Sequence, residues 1–209
     1  MLLIELEPVI DPVINERAIM LALRLRARQA RGVRDVAAGY STVGVHFDPL
    51  QIDLAALEHA IETEFAGLAS LDAIAERNVI DIPVNYGGAS GPDLDAVASF
   101  AGCSPAEVVA RHSRRTYRVY MLGFVPGFAY MGRVDQSIAA PRHRVPRERV
   151  PVGSVGLAGL QTGVYPVESP GGWQLIGRTA RVMFDPNRER PSLLDAGDVV
   201  RFVPVGSLA

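Results

Sequence analysis

Between Arg142 and Arg178 the sequence gathers side chains able to grip an anion and to hold it against aromatic surface. The run Arg142-His143-Arg144-Val145-Pro146-Arg147-Glu148-Arg149 places four guanidinium groups within eight residues. Each is a planar fork of donors that matches a carboxylate or a phosphate. The competing reading of such a run is a solvated loop that meets Asp or Glu of a neighbouring chain. Next come Gln161-Thr162-Gly163-Val164-Tyr165-Pro166 and Pro170-Gly171-Gly172-Trp173-Gln174. A strand that only packs can use Val or Ile, whereas amide and phenol groups need hydrogen-bond partners once buried. These segments therefore line a wet pocket or a subunit interface, a setting in which Tyr and Trp are enriched. Arg178, just after the strand predicted at Gln174–Ile176, closes the same surface.

Other chemistries are excluded by residues that are missing or misplaced. All 21 basic residues are arginine. Without lysine there is no phosphate-loop lysine for a nucleoside triphosphate, no Schiff base, no lysine to carry biotin and no Ser/Lys amidase dyad, so any such chemistry belongs to another chain. Gly153-Ser154-Val155-Gly156 is a residue short of a nucleophile elbow. Gly153, Gly156 and Gly159 precede no helix and read as turns rather than as a dinucleotide fingerprint. His46, His59, His112 and His143 are dispersed without metal-ligand spacing, and no metal site is expected.

The elements that must position these residues fall into two sets. Leu2–Leu6 reads as a short strand that begins at the initiator methionine, the mark of a shortened edge or of a start placed too late. Asp11-Pro12 caps a helix that Gly32 closes, with Arg24, Arg26, Arg28 and Arg31 towards its C-terminal end. Strands at Val33–Ala38 and Thr42–Phe47, a helix opened by Asp53 and ending near Gly67, and a strand at Val79–Val84 complete a split βαβ order, that of a ferredoxin-like α+β domain. Asn85–Pro92 is the expected junction, which makes residues 1–84 one domain and residues 85–209 the other. Two short helices follow, the second opened by Ser104-Pro105-Ala106-Glu107. Beyond them Tyr117–Phe124, the glycine-rich central segment, Arg181–Phe184 and Val199–Val203 read as strands with frequent turns, the pattern of a β-barrel.

With 48% apolar residues, a net charge of −2 and a single cysteine, Cys103, the chain is expected to be an ordinary soluble protein of the cytoplasm. Nothing in its charge points to nucleic acid or to a membrane, and no apolar run is long enough to span one.

Several segments together resemble a known family: Ile82-Pro83-Val84-Asn85-Tyr86-Gly87-Gly88, Gly91-Pro92-Asp93-Leu94, His112, Tyr117-Arg118-Val119-Tyr120, Gly123-Phe124-Val125-Pro126-Gly127-Phe128, and nearly all of Pro141 to Thr179. They are similar to the B-subunit group of the bacterial 5-oxoprolinases, also known as allophanate hydrolase subunit 1 or kinase A inhibitor-like, and found as a carboxyltransferase subdomain in urea carboxylase. The resemblance implies a cyclophilin-like β-barrel after the small α+β domain. It implies a component, inactive alone, that acts with the A and C subunits of 5-oxoprolinase to open 5-oxoproline to glutamate at the expense of ATP, with ATP used by the complex and nothing covalently bound. On that basis His112, Gln161 and Tyr165 are the catalytic candidates, with His112 as proton carrier. Arg142, Arg147, Arg178 and Tyr130 are expected to bind substrate, and Phe124, Phe128 and Trp173 to form the interface. The family often has Cys where this chain has Asn85, so no thiol chemistry is carried over there. Two alternatives stay open: a binding protein that inhibits a sensor histidine kinase, and a carboxyltransferase component that needs a biotin-bearing partner.

Overall fold

Two carboxylates start the two helices of the N-terminal unit, Met1–Glu76. Asp11 accepts from the backbone N–H groups of Val13 and Ile14 ahead of a helix over Pro12–Ala27, and Asp53 does the same for Ala55 and Ala56 ahead of a helix over Leu54–Ala66. These are α1 and α2; α1 stops short of Gly32, whose φ of +87° turns the chain into the next strand. Strands β1 (Leu2–Glu5), β2 (Val33–Ala38) and β3 (Thr42–Phe47) form an antiparallel sheet in the order β1-β3-β2. Leu21 and Leu25 of α1, Leu57 and Ile61 of α2, and Val36, Val43 and Val45 of the sheet bury one another. Asn15, fully buried on α1, ties the helix to the β2–β3 turn by donating to the carbonyls of Gly39 and Tyr40.

The second unit, Arg77–Ala209, contains β4 (Val79–Tyr86), α3 (Leu94–Ala101), α4 (Pro105–Ser113), β5 (Thr116–Leu122), β6 (Ala129–Gly132), β7 (Arg147–Val150), β8 (Ser154–Ala158), β9 (Gln161–Val164), β10 (Ser169–Gly171), β11 (Gln174–Arg178) and β12 (Val199–Pro204). Seven of these strands close a barrel in the order β11-β4-β12-β5-β6-β9-β8, while β7 and β10 pair as a two-stranded arm. The computed structural model describes residues 1–68, 77 and 79–206. No helix among them is long and apolar enough to cross a membrane.

The expected ferredoxin-like arrangement is corrected at its last strand. Val79–Val84 was to complete the small sheet; instead it lies in β4, which runs parallel to β12 over Val79–Val84 and antiparallel to β11 at its end. The cause is its alternation. Ile82, Val84 and Tyr86 point into an apolar core shared with Val200 and Phe202 of β12 and Ile176 of β11, so the strand is buried by partners on both sides. Arg201 and Asp81 meet across the two strands on the outside through paired hydrogen bonds of 2.8 Å. Among the described residues the N-terminal sheet thus keeps three strands, and the chain divides between Glu76 and Arg77, upstream of the expected boundary at 84/85.

Asn85–Pro92 is a wall of the second unit rather than a linker. Gly87 donates to the Ile176 carbonyl, and a side chain at Gly91 would overlap that same carbonyl, so only glycine lets the loop lie on β11. The strand expected at Arg181–Phe184 is also absent: a single bridge from Phe184 to Ser192 is all that forms. Both edges of the preceding strand, β11, are already taken by β4 and β8.

Candidate functional site

A second apolar cluster lies on the opposite face of the barrel wall from the interior, and its seat is made by what two strands lack. On β9, Thr162 and Val164 are buried in the direction of the interior, while Gly163 faces the other way. A Cβ there would come within 3.1 Å of the Phe128 ring and 3.3 Å of the Trp173 ring; one at Gly156 of β8 would come within 3.0 Å of Trp173 Cβ. Trp173 and Phe128 therefore pack closely against a strand pair stripped of side chains. Phe128 is the hub. It meets Tyr130 at 4.8 Å, Tyr165 and Trp173 at 5.3 Å and Phe124 at 5.7 Å between centroids, each edge to face, the arrangement ring quadrupoles favour.

These rings line a cavity of about 270 Å³ whose rim is completed by Pro146, Pro170, Gly171, Gly172 and Arg142. The Arg142 guanidinium lies 5.7 Å above the Trp173 ring, and no acid among the described residues pairs with it. Phe124 sits at the lip, 59% exposed and with φ at +71°, a left-handed conformation that a bulky side chain adopts only when the surrounding turn imposes it. Burial raises the Tyr165 phenol above its ordinary value, against the backbone hydrogen bond from Trp173 and the charges of Arg142 and Arg147. It therefore stays protonated at neutral pH and can donate. A side chain at Gly171 would overlap that hydroxyl. Gly171→Ala is expected to displace the Tyr165 ring and cost about 1–3 kcal/mol, read as a lower denaturation midpoint.

The cavity is held in place by a residue that the sequence reading passed over. Asp93 begins α3 but makes no cap with its side chain. Instead its buried carboxylate accepts from Leu175 N at 2.6 Å, from Arg147 Nη2 at 2.6 Å and from His143 Nε2 at 3.3 Å. One carboxylate thereby joins β11, the arm and the loop that carries Arg142. Arg147 also donates to the Trp173 carbonyl at 3.4 Å. Its guanidinium is a clamp rather than a free substrate donor.

His112 lies in the barrel core, fully buried, stacked at 4.6 Å on Phe202 and absent from the cavity lining. Thr162 donates its hydroxyl proton to the Gly156 carbonyl, so its oxygen accepts from His112 Nε2–H; Nδ1 then accepts from the Tyr86 hydroxyl at 2.7 Å. Burial pushes the imidazole down to about 3 and the Tyr86 phenol well above its ordinary range. A neutral imidazole with both nitrogens engaged fits a structural relay across the core, not the expected proton carrier.

Of the other expected site residues, Arg142, Tyr130, Tyr165, Phe124, Phe128 and Trp173 come together around the cavity. Phe128 and Trp173 are 1% and 5% exposed, which leaves Phe124 as the one of the three expected interface residues that faces solvent. Gln161 starts β9 opposite Gly132 and lies outside the lining, and Arg178 lines a different cleft. Among the described residues no cluster of His, Cys, Asp and Glu gathers to hold a metal ion.

Comparison with known proteins points in one direction. Residues 1–194 match the carboxyltransferase domain, subdomain C and D, family. The chain is similar to the 5-oxoprolinase B subunit of Haemophilus influenzae, 39% identical over 193 residues that cover 92% of this chain and 89% of that one. It is 51% identical to the 5-oxoprolinase B subunit of Bacillus subtilis over 145 residues, 69% of this chain and 60% of the relative. The crystal structure of TTHA0988 superposes with a TM-score of 0.87 at 37% identity, over 99% of this chain and 40% of that longer one. The chain thus spans about three fifths of the Bacillus subtilis relative and two fifths of the solved structure.

Proposed function

The chain belongs to the carboxyltransferase domain, subdomain C and D, family, and from that membership we propose that it is the B subunit of an ATP-dependent 5-oxoprolinase that opens 5-oxoproline to glutamate with partner A and C subunits. The observation that carries this reading is the Arg142 guanidinium, without an acidic partner among the described residues, held over Trp173 at the rim of a small aromatic cavity. 5-Oxoproline is a flat five-membered lactam bearing one carboxylate. The guanidinium supplies a donor fork for the carboxylate, and the rings of Phe128 and Trp173 supply faces and edges for the lactam.

The lactam is an unactivated amide, and charge must build on its oxygen before water can attack the carbonyl carbon. A phenol that stays protonated, as Tyr165 does, is a suitable donor to that oxygen in a site from which water is excluded. ATP is assigned to a partner: this chain has no lysine for a phosphate loop, and the glycines at 153, 156 and 159 lie in turns and strands with no helix behind them. Exposed Phe124 at the lip of the cavity is the contact we assign to the partner face. A solved relative carries a unit of this fold within a longer chain. We place the complex in the cytoplasm, in keeping with a lone cysteine.

The test is reconstitution with the A and C homologues and measurement of glutamate formed from 5-oxoproline, omitting each protein in turn. Activity is expected to require this chain. Arg142→Gln is expected to raise KM for 5-oxoproline about 10- to 100-fold, the value of a hydrogen bond to a charged group, with a smaller effect on kcat. Full turnover without this chain, or an unchanged KM in both Arg142→Gln and Trp173→Ala, overturns the assignment.

A further inference from the structure

We propose that the cleft lined by Arg178 and Arg181 is a second binding site, one that takes an organic phosphate monoester. It is a hollow of about 480 Å³, within the range of small-molecule sites, and it shares no lining residue with the aromatic cavity. Among the described residues two guanidinium groups line it and no acid does. Arg178 donates through Nε to the Val152 carbonyl at 2.8 Å, which anchors the side chain and leaves its terminal nitrogens without a partner among the described residues. Arg181 is exposed and has no carboxylate partner among them either. Two cations on one hollow without a counter-ion repel each other, and an anion between them relieves the repulsion.

The backbone brings them together. Gly153, at φ +80°, lets the β8 turn pass so close to the Thr179 carbonyl that any side chain there would overlap it, and Thr179 in turn accepts from the Arg181 N–H at 3.1 Å. The stretch after β11 is thereby held against the turn that precedes β8, with both arginines on the lining. Asn85, Ser90 and Thr179 add an amide and two hydroxyls. That is more donor capacity than the two oxygens of a carboxylate require. It suits the three terminal oxygens of a phosphate, whose charge of about −1.5 to −2 at neutral pH also balances two guanidinium groups. The remaining wall, with Val152, Val182 and Phe184, is apolar and suits the organic body that carries the phosphate.

Phosphate binding in this cleft does not depend on the lactam reading, and the experiment keeps the two distinguishable. Phenyl phosphate, inorganic phosphate and benzoate are titrated calorimetrically into the purified full chain at two salt concentrations. Phenyl phosphate is expected to bind saturably, more weakly at high salt, and about tenfold more tightly than either comparator. Arg178→Gln and Arg181→Gln are each expected to weaken it about tenfold, and the double variant to bind none. Arg142→Gln is expected to leave this binding unchanged. Arg181 lies in a loop outside any strand, so Arg181→Gln keeps the test valid even if the change at Arg178 disturbs β11. No saturable binding, a preference for benzoate, or wild-type binding by the double variant overturns the proposal.

Discussion

Between pH 6.5 and about 3 the barrel is expected to lose stability at about 1.4 kcal/mol per pH unit on account of His112 alone. In the folded chain burial holds the imidazole down to about 3, whereas in the unfolded chain it titrates near its ordinary 6.5. Across that window the unfolded state binds the extra proton, so stability falls as pH falls; above 6.5 the contribution is complete and flat. His112→Phe keeps a ring on Phe202 but does not titrate. At neutral pH the variant is expected to be less stable by about 1–3 kcal/mol, because the buried Tyr86 hydroxyl loses its acceptor. The two stability curves then cross at roughly pH 5, since only the wild type carries the acid penalty. Urea denaturation of both proteins over a pH series measures the difference. A wild type and variant that run parallel from neutral to acid pH would remove His112 from the acid response.

Asp93→Ala is expected to cost about 3 kcal/mol or more, because it leaves a buried N–H at Leu175 without an acceptor and the Arg147 guanidinium without its counter-charge. The effect should extend to the cavity, since the same carboxylate ties down His143, the neighbour of Arg142, and through Arg147 the Trp173 carbonyl. Asp93→Asn separates the two roles: its side-chain oxygen can still accept from Leu175, while the ion pair is gone. We expect about half the stability loss from Asn, with KM for the lactam rising in both variants even where the protein is fully folded. Equal stability of all three proteins in urea would show that the clamp is dispensable. A KM that stays at the wild-type value in folded Asp93→Asn would confine Asp93 to folding.

Features written in adjacent residues were legible before the structure. Asp11, Asp53 and Ser104 each cap the helix that follows, because a cap is decided by a carboxylate or hydroxyl and the two or three N–H groups beside it. What distance decides was not legible. Asp93 resembles a fourth cap, yet its carboxylate turns to Leu175 and Arg147, far along the chain. Arg142 and Arg147 belong to one basic run and look alike in it, but Arg147 starts β7 and reaches Asp93 whereas Arg142 lies on Trp173. Phe128 and Trp173 looked like interface residues because aromatic residues amid glycines and prolines suggest exposed contact. The missing signal was Gly156 and Gly163, which make room for the rings on adjacent strands. His112 looked chemically available because an imidazole in a sequence carries no sign of its burial.

The barrel is closed by its most distant strands: β4, where it begins, is flanked by β11 and β12, where it ends, and Arg201 meets Asp81 across 120 positions. During synthesis this order has a cost in time. At ribosomal rates β4 leaves the tunnel on the order of ten seconds before β12 exists to cover it. Throughout that interval Ile82, Val84 and Tyr86 form an apolar edge with neither neighbour in place. The Met1–Glu76 unit has no such wait, because its sheet and both helices come from one continuous stretch. Nascent chains of this protein should therefore show a protease-resistant N-terminal fragment early and stay dependent on a chaperone until the last strand emerges.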